Sequence, residues 1–154
     1  MTHYDDPRSQ FGMRFSILAR RWRRKLEADL AAAGLTDATW APMVHLHESG
    51  GGITQKDLAA RVGVDGSSLV RVLDILERDG LIERRRDASD GRAKLISFTP
   101  AGESRVALIR AELLKSEQKM MADLPDDLVA AMLTGFAKIE AQLALDEGGQ
   151  DAQR

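Results

Sequence analysis

The chain contains no cysteine, which removes disulfide bridges, thiolate nucleophiles and cysteine-based metal or peroxide sensing at once. No phosphate-cradling glycine motif is present either, because Gly50-Gly51-Gly52 is not followed by Lys-Ser or Lys-Thr. The three histidines have no evident acid partner, and His45 and His47 point about 200° apart on a helix, so they cannot share a metal. With no cofactor motif and no metal-spaced cluster, an enzyme is not expected. Uninterrupted apolar runs fall far short of the ~20 residues that cross a bilayer. The polar start Met1-Thr2-His3-Tyr4-Asp5-Asp6 does not resemble a signal peptide, so the expectation is a cytoplasmic protein with no membrane partner.

What is present is a 154-residue chain, long enough for one domain with an oligomerisation arm. With 44% hydrophobic, 30% charged and only 5% aromatic residues, it has the composition of a helix-rich protein with long solvated faces. The net charge of −2 is unpromising for binding phosphate, but its distribution is segmental. Met13 to Lys25 holds five arginines and one lysine without an acid, and Arg84 to Lys94 holds four arginines and one lysine against two aspartates. Glu112 to Arg154 holds nine acids against four bases.

Two helices joined through Gly63 stand at the centre of the chain. Thr54 and Asp57 form a capping-box pattern for a short helix through Val62, and Asp65 can cap a second that Gly80 stops. In this second helix Leu69, Val72, Leu73 and Leu76 recur at helical spacing, leaving Ser67, Ser68 and Arg71 to point outward near its start. Short hydroxyls beside a long arginine suit a major-groove reader; on their own they are equally first-turn residues and a surface charge. Two strand-like runs follow, Leu81 to Arg86 and Arg92 to Phe98, around the turn Asp87-Ala88-Ser89-Asp90-Gly91. Gly91 is expected to supply the backbone angles of a tight tip, and Asp90 to hold Arg92 in place. Such an arginine fits the minor groove, where the potential is most negative. Helix, turn, helix and basic hairpin together are the outline of a winged helix-turn-helix, which points to DNA.

Long helices flank this lobe. Phe11, Phe15, Leu18, Trp22, Leu26 and Leu30 form a stripe ending at Gly34, with Arg20, Arg21, Arg23, Arg24 and Lys25 off it. Those bases are either a solvated face or, at Arg14 or Arg21, line a pocket or reach an acidic group on a partner chain. Thr36, followed by Asp37, is the expected cap of a helix to Glu48 on which Trp40, Met43, Val44 and His47 share a side. Trp40 serves either the core or a ligand there. Thr99-Pro100 opens a helix to about Ala122 along Val106, Ile109, Leu113 and Met120. After Leu124-Pro125-Asp126-Asp127 another stripe runs through Leu128, Met132, Phe136, Ile139 and Leu143. Burying the terminal stripes across a two-fold axis predicts a homodimer.

The order of elements resembles the MarR family of bacterial transcriptional regulators, its SlyA-like branch in particular, from about Arg14 to Leu143. The residues that carry the resemblance are Gly34-Leu35-Thr36 with Trp40, Ser68-Leu69-Val70-Arg71 with Leu73-Asp74 and Leu76-Glu77, Asp79-Gly80-Leu81-Ile82, and Ala88-Ser89-Asp90-Gly91-Arg92-Ala93-Lys94 with Leu95 and Thr99. It implies a mainly α fold with a small β wing, a winged helix-turn-helix with N- and C-terminal dimerisation helices. The expected division is an arm over 1–9, dimerisation helices over 10–34 and 100–146, a DNA-binding lobe over 35–99 and a disordered tail over 147–154. It also implies a dimer on a pseudo-palindromic operator, acting as a repressor, with Ser67, Ser68 and Arg71 on bases and phosphates and Asp90 and Arg92 as the wing pair. Arg84, Arg86, Lys94, Thr54 and Gln55 complete the expected DNA contacts. Family members commonly answer small aromatic or phenolic acids and related thioesters, for which Arg14, Leu18, Arg21, Trp40, Val44 and His47 are the candidate pocket, an apolar slot with a cation. A ligand-independent architectural or anti-silencing DNA-binding protein of the same fold is the alternative. Two departures are Gly91, where relatives often carry a second arginine, and Gly66, which could loosen the first turn of the reading helix.

Overall fold

A computed structural model describes residues 6–35 and 38–151. The first helix, α1 (Pro7–Ala32), starts where Asp6 accepts the Arg8 N–H at 3.2 Å and Pro7 takes the first helical position. It therefore begins ahead of Phe11, and residues 7–9 of the expected arm are helical, because Pro7 opens a helix instead of breaking one. Thr36 and Asp37, the expected cap of the next helix, lie outside the described residues. That helix, α2 (Trp40–Glu48), starts three residues after Asp37 and buries Ala41, Met43 and Leu46. Then come β1 (Ile53–Thr54), α3 (Gln55–Val62), α4 (Gly66–Arg78), β2 (Ile82–Arg86), β3 (Lys94–Phe98), α5 (Pro100–Met120) and α6 (Asp126–Asp151). The three strands form one antiparallel sheet in the order β1-β3-β2.

The chain divides into two compact units, residues 1–117 and 118–154. In the first, the core collects Leu26 and Leu30 of α1, Met43 and Leu46 of α2, Leu58 of α3, Leu69, Leu73 and Leu76 of α4, Ile82 and Ile96 of the sheet, and Val106 and Ile109 of α5. Each stripe arrives there through its helical or alternating period. Where β3 meets α5, Thr99 accepts the Gly102 N–H at 3.1 Å and its hydroxyl donates to the Gly80 carbonyl. A Cβ on Gly102 would stand 1.9 Å from the Leu81 carbonyl oxygen, so only glycine lets α5 approach the α4–β2 junction this closely. The C-terminal half of α1 is tied to α5 by polar contacts, the buried Ser116 hydroxyl donating to Asp29 and Trp22 donating to Glu117. Burial raises the Glu117 carboxyl above its ordinary range, against the opposing effect of that Trp22 bond.

In the second unit none of the described side chains of α6 is buried. Leu128, Met132, Ile139 and Leu143 are all exposed along one stripe, and Leu133 and Leu145 stand off it. The helix continues through Gly148 to Asp151, past the expected stop at Asp146, since a glycine inside a helix costs only about 1 kcal/mol against alanine. By length and composition residues 126–148 could also cross a bilayer, which a search for uninterrupted apolar runs misses because Lys138 and Glu140 break them. Those two residues sit near the middle of the segment, where an ionised side chain costs roughly 2.5–3.5 kcal/mol in a membrane.

Candidate nucleic-acid interface

The interface is built on the α3–α4 pair. Thr54 accepts the Asp57 N–H at 3.2 Å and starts α3, and Gly63 ends it at φ 75°, a left-handed angle that glycine adopts without strain. Asp65 then starts α4 by accepting the Ser68 N–H at 2.7 Å. Gly66 occupies the first helical position. The Asp65 carboxyl is held below its ordinary range by the Ser68 N–H and then by the Ser67 hydroxyl, which donates to it at 2.7 Å. Leu69, Leu73 and Leu76 anchor α4 in the core, so Ser67, Ser68 and Arg71 all face outward at its exposed N-terminal end. Ser67 is thus partly occupied in donating to the cap Asp65, and Arg71 is the long side chain of the group.

The hairpin that follows has a five-pair register from Ile82↔Phe98 to Arg86↔Lys94. Its tip closes through Asp87 N–H to the Ala93 carbonyl at 2.9 Å, while Asp87 accepts both the Ser89 N–H and the Ser89 hydroxyl. Asp90 accepts the Arg92 backbone N–H at 3.1 Å, so it orders the chain beside Arg92, where the sequence suggested that it steadies the arginine itself. Gly91 is not among the described glycines with positive φ; the tip turns on aspartate hydrogen bonds, and the expected conformational role of Gly91 is not used. Arg86, Arg92 and Lys94 are exposed on this hairpin.

Arg84 differs. Only 18% of its side chain is exposed, and its guanidinium meets Asp74 at 2.7 Å and also pairs with Glu77. Expected as a DNA contact, it is instead occupied by two carboxylates of α4, because β2 alternation turns residue 84 to the same side as the buried Ile82. Thr54 is likewise occupied as a cap, and Gln55 is half-buried.

Neither of the two described hollows beside α2 is lined by more than one of the expected ligand residues. Arg14, Leu18 and Arg21 are exposed on α1. Arg23, not singled out by the sequence, places its guanidinium 5.1 Å from the centroid of Trp40, close enough for cation–π attraction. Val44 lines an open groove of about 540 Å³ with Ala107, Ala111, Leu114, Arg110 and Glu117. His47 lines a separate hollow with Ser97, Phe98 and Glu103. Arg110, which approaches Glu48 at 3.8 Å, is the arginine of the Val44 groove; sequence spacing across two distant helices carried no signal for it. His45 is driven below its ordinary pKa first by burial and then by Arg61 and Arg23. No group of residues suited to a metal ion occurs among the described residues.

A family model described as MarR family matches residues 33–93, the span of α2, the reading helix and most of the wing. The solved structure of the transcriptional regulator PA3341 is 34% identical, over 87% of this chain and 98% of its own, with a TM-score of 0.79. The chain belongs to the MarR family. MarR-family members are transcriptional regulators and not enzymes, and this chain has their mainly α winged-helix fold. CouR from Rhodococcus jostii RHA1, solved bound to p-coumaroyl-CoA, is 27% identical over 88% of this chain and 94% of its own, with a TM-score of 0.73. A mutant MarR from E. coli, complexed with operator DNA, shares the fold at 23% identity, over 84% and 93%, with a TM-score of 0.69.

Proposed function

We propose that this MarR-family protein is a cytoplasmic repressor of the SlyA-like branch that binds a pseudo-palindromic operator as a homodimer. The observation that carries the reading is the placing of Ser68 and Arg71 on one capped helix end and of Arg86, Arg92 and Lys94 on the adjoining wing, all exposed in one compact unit. Arg71 and Ser68 read the major groove, Ser67 through its remaining acceptor capacity, and Arg92 with Asp90 behind it enters the minor groove. Residues 10–34 and 100–146 supply the dimer contacts. The exposed stripe of α6, with Leu133 and Leu145 beside Ala137, Ala141 and Ala144 on other faces, needs more than one apolar neighbour, which a second copy provides.

Selecting bound duplexes from a random pool tests the reading. Two inverted half-sites are expected, with Arg71→Ala relaxing base preference and Arg92→Ala weakening all sequences and flattening the salt dependence. Equal binding by wild type and Arg92→Ala at two salt concentrations would remove the wing from the interface.

A small aromatic acid or aromatic thioester is the proposed effector, with Trp40, Val44 and His47 on α2 and Arg14, Leu18 and Arg21 on α1 as its candidate contacts. The p-coumaroyl-CoA held by CouR supports the thioester class. The ligand-independent architectural reading is favoured by one observation: Val44 and His47 line different hollows, and Arg14, Leu18 and Arg21 are exposed. Titrating aromatic carboxylates and their thioesters against the DNA complex separates the two readings: dissociation supports an effector, and neither dissociation nor thermal stabilisation supports the architectural role.

A further inference from the structure

We propose that Arg84 is a positioning residue for DNA reading, a clamp that fixes the wing to the reading helix and thereby places Arg92; the inference rests on the DNA-binding reading above. Arg84 sits on β2 opposite Ile96, where the base of the hairpin enters the core. Its Nη2 donates to Asp74 at 2.7 Å and its Nε donates to Glu77. Asp74 and Glu77 are three residues apart on α4 and so share a face, and the rigid planar guanidinium offers each a separate donor at a fixed angle, which an ammonium on a flexible stem does not. The contact is between two elements that must address the same duplex together, the helix in one groove and the hairpin in the next. Among the described residues the neighbouring Arg85 makes no such bridge: it pairs with Glu83 of its own strand, and 76% of its side chain is exposed.

The clamp has a second consequence. Asp74 stands three residues after Arg71, close enough on a helix to pair with it. With Arg84 on Asp74, the carboxylate is already neutralised and Arg71 stays available to DNA. Two acids on a helix that faces phosphate would otherwise repel it, so Arg84 serves binding without touching DNA.

A sign test separates this role from a phosphate contact. Asp74→Asn with Glu77→Gln breaks the clamp while leaving Arg84 in place and removing two negative charges. Electrostatics alone makes that variant bind tighter. Positioning makes it bind weaker, by about tenfold in Kd, the size of a lost arginine contact. Binding would be followed on the duplex enriched by the wild-type chain, at a temperature well below the midpoint of thermal unfolding for every variant. The second arm is a cycle with Arg92→Ala. In the wild type that substitution should weaken binding about tenfold, and in the clamp-broken background less than about twofold, because the wing is already misplaced. A purely stabilising role of Arg84 leaves the Arg92 effect at full size in both backgrounds. Unchanged or tighter binding by the Asn/Gln variant, or a full Arg92 effect within it, overturns the proposal. If Arg92→Ala has no effect even in the wild type, the DNA reading of the wing fails first and the clamp with it.

Discussion

The two halves of α1 carry one continuous stripe at one spacing and end in opposite surroundings. Leu26 and Leu30 are 6% and 1% exposed against the core, while Phe11, Phe15 and Leu18 are 49%, 48% and 55% exposed. Phe11 and Phe15 stack on each other with ring centroids 5.9 Å apart, but the core does not cover them. Periodicity says which residues want burial; it does not say where the covering surface comes from. For the second half it comes from the same chain, and for the first half, as for α6, the proposal is that a second copy supplies it.

Breaking the covered half should have the largest effect. Leu30→Ala leaves a cavity in a closed core and is expected to lower unfolding stability by about 2–5 kcal/mol in denaturant melts. A charge in the other half, Leu18→Asp together with Met132→Asp, should instead halve the mass in sedimentation with helix content retained; a mass equal to the wild type's would contradict the proposed partner surface. Next in size is the reading head, where Arg71→Ala and Arg92→Ala should each cost about 1–3 kcal/mol of DNA binding, measured by titration over a salt series. Only Arg71→Ala should change the selected sequence.

Local capping gives smaller effects. Thr54→Ala should cost about 1 kcal/mol, because it leaves the Asp57 N–H without its partner, and a denaturant midpoint within error of wild type would dismiss the cap. Asp65 adds a pH signature. Its folded pKa lies below the unfolded one, so its contribution is complete above the ordinary carboxylate range and is lost as pH falls through the folded value. Asp65→Asn keeps an N-cap acceptor and should make the acid side of the stability profile shallower; an identical acid limb would show that Asp65 is not linked to folding.

Legibility followed the range of the interactions. The caps at Thr54, Asp65 and Thr99, the stop at Gly80 and both hairpin strands were readable because each depends on residues within a few positions. Leu69, Leu73 and Leu76 were readable because one helix face must be buried. The role of Arg84 was not, since Asp74 and Glu77 lie on another element and an arginine run looks the same whether it meets phosphate or carboxylate. Arg23 over Trp40 and Arg110 in the Val44 groove were missed for the same reason. Gly91 misled in the other direction, as the wing tip is turned by Asp87 and Asp90 side chains acting on nearby N–H groups.

The central claim is that one reading head, Arg71 on its helix and Arg92 on its wing, acts in two copies held at a fixed separation. Sequencing the duplexes that the full chain enriches from a random pool measures this directly. The account predicts two inverted half-sites with centres one helical turn apart, about 10–10.5 base pairs or a multiple of it. Enrichment of a single unpaired half-site, or of pairs with no preferred spacing, would contradict it.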